Sequence, residues 1–292
     1  MKKIVALLLA GLMAASLVGC NNGSTESGSA SDTNASVASG STADDSWEKI
    51  QANGKIIMGV DDEFPPMGYI DTQTGDLVGF DIDLATEVFT RLGVEVDIQP
   101  IDWGSKEMEL DGGNIDVIWN GYSYTDERNE KVNLSEPYMK NNQVIMVKAD
   151  SSYQTLEDLA GKSLGVQADS SAEDALNSEG AAEFKASLSE IVPVDNYSKA
   201  VLEIKNGLIE AIAIDEVVAR YYLSHEEGAY RILTEDNGDV ISLAVEDYVI
   251  GFRKGDDALK EKVEETLKEM KADGKLAEIS EKWFGEDVTT IA

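Results

Sequence analysis

The sequence predicts an α/β protein made of two similar open, mostly parallel sheets, each flanked by helices. Short apolar runs of strand length alternate with amphipathic stretches of helical period. The alternation runs through once and then returns. Both passes contain a similar phrase, Gly113-Asn114-Ile115-Asp116-Val117-Ile118 and Gly207-Leu208-Ile209-Glu210-Ala211-Ile212, which either reflects related halves or is a chance match of two helix-to-strand turns. At 292 residues, 42% hydrophobic and 27% charged, the chain is long and apolar enough to bury the core of one large or two ordinary domains.

Before that alternation begins, Lys2 and Lys3 precede an apolar run over residues 4–18 that is too short to favour a membrane span and has the order of a secretory signal. Leu17-Val18-Gly19-Cys20 resembles a bacterial lipobox, in which Cys20 is lipidated after removal of residues 1–19. Residues 20–45 are rich in Ser, Gly, Ala, Asn and Thr without apolar periodicity, which predicts a solvated tether. Folded sequence begins near Trp47.

The expected elements follow in order. Residues 55–60 read as a strand, and residues 80–92 as a helix placing Leu84, Ala85, Val88, Phe89 and Leu92 on one face before Gly93 ends it. A strand at 94–98, a helix at 105–110 ending at Gly112 and Gly113, and a strand at 115–119 complete the first pass. The second pass predicts strands at 163–166, 191–194 and 209–214. Helices are expected at 171–176, 197–206 and 216–224.

Composition excludes several chemistries. Lys+Arg 24 against Asp+Glu 56 gives a net charge of −32, which argues against nucleic acid. One cysteine and one histidine, Cys20 and His225, exclude a disulfide framework, a multi-Cys/His zinc site and most histidine-based catalysis. No Gly-rich Walker sequence is present, so ATP binding is not expected. Carboxylate, hydroxyl and arginine chemistry remain.

In open α/β sheets, ligands gather beyond the carboxyl ends of strands. Asp61, Asp62, Glu63 and Phe64 follow the first strand; Asn120 to Arg128 form a loop after Trp119; Asp169, Ser170 and Ser171 follow residue 166; Asp215 follows Ile214. An arginine and an aspartate on facing sheets suit the two charged ends of a zwitterion.

Several phrases then carry a family resemblance. Gly79-Phe80-Asp81-Ile82-Asp83-Leu84-Ala85, Asp102-Trp103, the run from Asp116 to Arg128, Ser135-Glu136-Pro137-Tyr138, Gly251-Phe252-Arg253-Lys254-Gly255-Asp256 and the tail from Ala272 to Gly285 occur in that order. Together they resemble the polar amino acid-binding family of extracellular solute-binding lipoproteins of bacterial ABC importers, from Trp47 onward. The resemblance implies a two-lobed, periplasmic-binding-protein-like fold of type II with a two-strand hinge. Residues 46–142 plus 248–292 would form lobe 1 and residues 143–247 lobe 2, with crossings near Gln143 and Asp247.

It also implies roles. Arg128 matches the arginine that clamps the ligand carboxylate, a task suited to paired charge-assisted hydrogen bonds; a surface pair with Asp126 or Glu127 is the alternative. Asp215 matches the acceptor of the α-ammonium, or caps the helix after it. Ser170 and Ser171 match two small hydroxyl residues at a helix start, where backbone N–H groups favour a carboxylate or simple capping serves the helix. Asp169 stands where the family has glycine. Asn120 and the Gly121 carbonyl align with ammonium acceptors, and the Ser123 hydroxyl with a carboxylate donor. Phe64 and Trp103 align with residues that sandwich the ligand side chain, or belong to the core. Asp61 and Glu63 lie where the ligand's far end is read and hint at a cation, while Tyr122 and Asn120 suit a neutral amide or sulfur-containing side chain equally.

The implied function is capture of a free amino acid by lobe closure and delivery to a permease, with cytoplasmic ATPase subunits supplying energy. The expected protein is a monomer without metal or cofactor, lipid-anchored at the outer face of the cytoplasmic membrane, and not an enzyme. A sensor on the same fold is disfavoured because no span or signalling domain follows Ala292. A dehydratase would need Glu63 or Glu173 as a general acid or base.

Overall fold

A computed structural model of the chain describes residues 44–292. The export signal, Cys20 and all but the last two residues of the tether lie outside the described residues. The strands are β1 (Lys55–Val60), β2 (Glu63–Phe64), β3 (Gly68–Ile70), β4 (Leu77–Val78), β5 (Glu95–Pro100), β6 (Val117–Ser123), β7 (Asn133–Leu134), β8 (Met139–Lys148), β9 (Ser163–Gln167), β10 (Glu190–Val194), β11 (Ala211–Asp215), β12 (Tyr230–Ile232) and β13 (Ser242–Phe252). The helices are α1 (Ser46–Asn53), α2 (Phe80–Leu92), α3 (Lys106–Asp111), α4 (Asp126–Lys131), α5 (Ser171–Asn177), α6 (Ala182–Ser187), α7 (Tyr197–Asn206), α8 (Glu216–His225), α9 (Asp257–Ala272) and α10 (Lys275–Phe284).

The main sheet has the order β10-β9-β11-β8-β13-β6-β1-β5, with parallel triplets at its two ends. Between the triplets, β8 and β13 run antiparallel to each other and to the strands on their outer sides. The two expected parallel sheets are therefore joined into one mixed sheet by the crossing strands. Each crossing strand changes character along its length. In β8, Asn141 and Gln143 precede the buried apolar run Val144 to Val147; in β13, Glu246 and Asp247 precede the buried run Tyr248 to Phe252. The polar halves pair with each other, and the apolar halves enter different triplets.

The helices follow the apolar spacing. Helix α2 buries Leu84, Ala85, Val88 and Phe89 and stops at Gly93, whose φ of 73° satisfies a left-handed cap. The carboxy-terminal α9 and α10 pack back on α1 and α2, adding Leu259, Val263, Leu267 and Leu276 to the core beside β1 and β6.

Two boundaries differ from the sequence reading in ways that matter. Strand β6 continues to Ser123, so Asn120, Gly121 and Ser123 lie in a buried strand and not in a loop after Trp119. Asn120 Oδ1 accepts from Asp61 N and the Ser123 hydroxyl donates to Glu246, while Asn120 Nδ2 is buried without a partner; the left-handed Gly121 (φ 55°) turns its N–H to Asp81 (2.7 Å) where the pairing with β13 slips register. Likewise β11 runs through Asp215, which becomes a strand residue facing β8.

Candidate functional site

Four neighbouring strands bring a row of polar side chains together. Asp215 on β11 lies opposite Gln143 on β8; Asn141, two residues earlier on the same face of β8, lies opposite Glu246 on β13; Tyr248, two residues after Glu246, lies opposite Ser123 on β6. Asp215 Oδ1 accepts from Asn141 Nδ2 (2.7 Å), Gln143 Nε2 (2.8 Å) and the Tyr248 hydroxyl (2.7 Å), and Oδ2 accepts from the Tyr197 hydroxyl (3.1 Å). The helix-capping alternative for Asp215 is not realised, since its side chain makes no cap bond. Burial, and then the charge of Glu246, raise its pKa from 3.8 to about 7.

Glu246 Oε2 gathers the Ser123 hydroxyl (2.8 Å), Gln143 Nε2 (3.0 Å), the Ser171 hydroxyl (3.3 Å) and Asn141 Nδ2 (3.3 Å). Ser123 and Ser171 also touch, Oγ to Oγ at 3.0 Å, so the first parallel block meets the start of α5 here. Ser170 is the helix cap: its hydroxyl accepts from Glu173 N (3.2 Å) and donates to Gln167 O (2.7 Å).

Arg128 is only 6% exposed. Its Nη1 donates to Ser123 O (2.9 Å), its Nη2 to Asp169 O (3.3 Å), and its guanidinium lies 4.6 Å from the centre of the Tyr122 ring. Glu107 stands 3.9 Å from Nε. Glu127 pairs with Lys131 (2.6 Å), so the expected surface alternative with that residue does not form. Asp169 adopts a left-handed φ of 55°, the conformation the family's glycine would supply, and its carbonyl also accepts from Lys106 Nζ (3.1 Å). Burial, followed by the nearby Arg128 charge, lowers the pKa of Lys106.

Asp61, just after β1, ties the first parallel triplet to β9. Its Oδ2 accepts from Gln167 Nε2 on β9 (2.7 Å), its Oδ1 accepts from Glu63 N (2.9 Å), and its own N–H donates to Asn120 Oδ1 (2.8 Å). Burial raises its pKa from 3.8 to about 6 against the pull of those two donors to the carboxylate. Phe64 is buried, packed 5.8 Å from Tyr197, and Trp103 is buried edge-on to Tyr122 at 6.0 Å. Beyond Asp61, a pocket of about 540 Å³ is lined by Asp62, Glu63, Tyr69, Tyr221, Tyr222 and His225, and the Tyr69 and Tyr221 rings close to 5.2 Å.

Sequence reasoning missed Asn141, Gln143, Glu246 and Asp81. The first three carry a signal: a short polar run, Lys140 to Gln143 or Glu246-Asp247, immediately before a buried strand run. Asp81, wholly buried at the start of α2, accepts from Gly121 N (2.7 Å) and the Tyr138 hydroxyl (2.9 Å) and so fixes the bend of β6. Burial raises its pKa from 3.8 to about 7. Among the described residues, no cluster of His, Cys, Asp and Glu could hold a metal ion, and no helix is long and apolar enough to cross a membrane.

A mixed sheet with two crossing strands and a polar row between its parallel ends defines a two-lobed α/β binding protein of the periplasmic-binding-protein type. Residues 56–286 match the bacterial extracellular solute-binding proteins, family 3, and the chain belongs to that family. It is 31% identical over 286 residues to the arginine-binding extracellular protein ArtP of Bacillus subtilis, covering 97% of this chain and 98% of that one. Among solved structures, an ABC uptake transporter substrate binding protein from Streptococcus pneumoniae with bound histidine is 43% identical, with TM-score 0.74 and coverage of 84% and 98%. Tv2483 bound to L-arginine is 30% identical, with TM-score 0.78 and coverage of 85% and 98%. The family relationship makes this a member of the amino-acid-binding ABC transporter substrate-binding proteins.

Proposed function

We propose that the chain captures a free polar or charged L-amino acid between its lobes by hinge closure and delivers it to the permease of an ABC importer. The observation that carries this is a buried guanidinium and a buried carboxyl group, Arg128 and Asp215, at opposite ends of the polar row. A zwitterion needs both: a guanidinium for its carboxylate and a carboxylate for its ammonium. On this reading Ser123 and Ser171 join Arg128 at the carboxylate, Asn120 and the Gly121 carbonyl join Asp215 at the ammonium, and Phe64 and Trp103 flank the side chain. Ser170 acts through the helix it caps.

Lobe 1 is residues 46–142 plus 248–292 and lobe 2 residues 143–247, so the chain changes lobe at Gln143 and Asp247 within the crossing strands. Bonds such as Asp61 to Gln167 and Ser123 to Ser171 then span the lobes and exist only in the closed form. Buried Asp61 and half-buried Glu63 at the far end favour a cationic side chain, in line with the arginine and histidine bound by the relatives above. Cys20 carries the lipid that holds the monomer at the outer face of the cytoplasmic membrane.

The test is a thermal-shift panel of single amino acids, including cystine, with calorimetry on each hit and a product assay alongside. A ligand that binds only the native state raises the melting point. Stabilisation without product supports the binding reading. Turnover would replace it by an enzyme; Glu173 is already engaged with Asp169 N (2.8 Å), leaving Glu63 as the candidate acid or base.

A further inference from the structure

Two carboxylates, Asp215 and Glu246, share the same pair of amide donors. Asn141 Nδ2 and Gln143 Nε2 each bond to both acids, and the remaining donors are the neutral hydroxyls of Tyr197, Tyr248, Ser123 and Ser171. Neither acid forms an ion pair among the described residues. The two buried cations among the described residues are committed elsewhere: Arg128 to Ser123 O, Asp169 O and the Tyr122 ring, Lys106 to Trp103 O and Asp169 O.

The amide oxygens give a second, independent observation. Asn141 Oδ1 and Gln143 Oε1 are buried without any hydrogen-bond partner, and their residues are 4% and 0% exposed. All the bonds to half-buried Glu246 fall on Oε2, which leaves Oε1 open to solvent or to a ligand. Two buried amide oxygens therefore lack donors, beside two carboxyl groups that lack a cation. A group with several N–H donors and a positive charge resolves both imbalances.

We propose that Glu246 is a ligand-binding residue, the second carboxylate of a two-acid acceptor for the ligand's ammonium, and that without ligand the pair retains one proton, released when the ammonium binds. This rests on the amino-acid reading of the cleft and deepens it. The proton has a place to go: it sits on Asp215, whose ionisation is opposed by burial and by Glu246. The ligand brings its own charge with its three N–H donors, so the proton on Asp215 passes to solvent. The groups facing the pair are Tyr197 from α7, Tyr248 from β13, Ser123 from β6 and Ser171 from α5, besides the two amides of β8. None of these supplies a cation.

The experiment is calorimetric titration of the full chain, wild type and Glu246→Gln, with each of the twenty amino acids and cystine at pH 6.5, in buffers of different ionisation enthalpy. Wild type is expected to release close to one proton per ligand, read with any ligand other than histidine. The variant should bind about ten- to a hundredfold more weakly and release less, and Glu246→Asp should regain part of both. Circular dichroism melts of both variants without ligand establish that they fold. Wild-type binding with equal affinity in the folded Gln variant, or without proton release, overturns the inference while leaving the binding reading intact. Failure of wild type to bind any of these ligands overturns both.

Discussion

Asp81→Asn isolates the energetic effect of burying one acid beneath the site. In the folded chain Asp81 keeps its proton up to about pH 7, against 3.8 for an ordinary aspartate. An acid whose folded pKa is raised stabilises the native state at low pH and loses that contribution as pH rises through the folded value. Between pH 5 and about pH 7 the native chain holds a proton that the unfolded chain lacks. At about 1.36 kcal/mol per pH unit, this makes about 3 kcal/mol of stability lost from pH 5 to pH 8. Asparagine cannot titrate, so the difference in unfolding free energy between variant and wild type should shift by about 3 kcal/mol in the variant's favour over that interval. Asp61 and Asp215, raised to about 6 and about 7, titrate in the same direction but are present in both proteins and cancel. Asp81 Oδ2 accepts from Gly121 N and the Tyr138 hydroxyl, so the proton of the neutral acid sits on Oδ1, and the amide N–H of asparagine takes the place of that O–H at little cost while the acid is neutral. The variant should therefore be close to wild type at pH 5 and about 3 kcal/mol the stronger at pH 8. Urea unfolding of the ligand-free chain at pH 5, 6, 7 and 8, followed by far-ultraviolet circular dichroism, measures this. A difference that stays constant across pH refutes the reasoning.

Arg128→Lys should weaken amino acid binding roughly a hundredfold, because lysine replaces neither the paired N–H geometry nor the stack on Tyr122; wild-type affinity by calorimetry would remove the clamp assignment. Asp61→Asn should lower the preference for arginine over glutamine by about tenfold with little effect on the main-chain contacts, which competition titrations would show; an unchanged ratio would take Asp61 out of specificity. Gly121→Ala should cost about 1–3 kcal/mol, since the residue holds a φ of 55° and a Cβ would sit 2.7 Å from Phe64 Cε1; a melting point equal to wild type would contradict this. Cys20→Ala should release the protein from membranes into the medium, and retention of a lipid-modified product would refute the lipobox reading.

Much of the fold was legible because local signals and burial agree. The spacing that placed Leu84, Ala85, Val88 and Phe89 on one face, followed by Gly93, gives α2 the bounds expected, and the same holds for α7, which ends at Gly207. Strand ends were less legible where polar residues are buried. Asn120, Gly121 and Ser123 look like loop residues by composition, yet β6 runs through them because Asp61, Asp81 and Glu246 pair with Asn120 Oδ1, the Gly121 N–H and the Ser123 hydroxyl. Those partners are 59, 40 and 123 residues away in sequence, so no local pattern can announce them.

The same limit explains what was read of the site and what was not. Asp61, Arg128, Ser171 and Asp215 lie at or just beyond strand ends, where the topology rule directs attention, and the structure brings Ser123, Ser171 and Asp215 to one polar row with Arg128 bonded to its Ser123 end. Asn141, Gln143 and Glu246 lie within the crossing strands, and their juxtaposition is created by register: Gln143 against Asp215 on one side of β8, Asn141 against Glu246 on the other. A slip of one residue in either pairing would turn these side chains to the opposite face and dissolve the cluster. The register is held by the apolar halves, Val144 to Val147 among β11 and β12, and Tyr248 to Phe252 beside β6. The hydrophobic pairing that joins the lobes therefore also sets the polar chemistry between them, and substitutions in those apolar runs should alter ligand binding without touching the ligand.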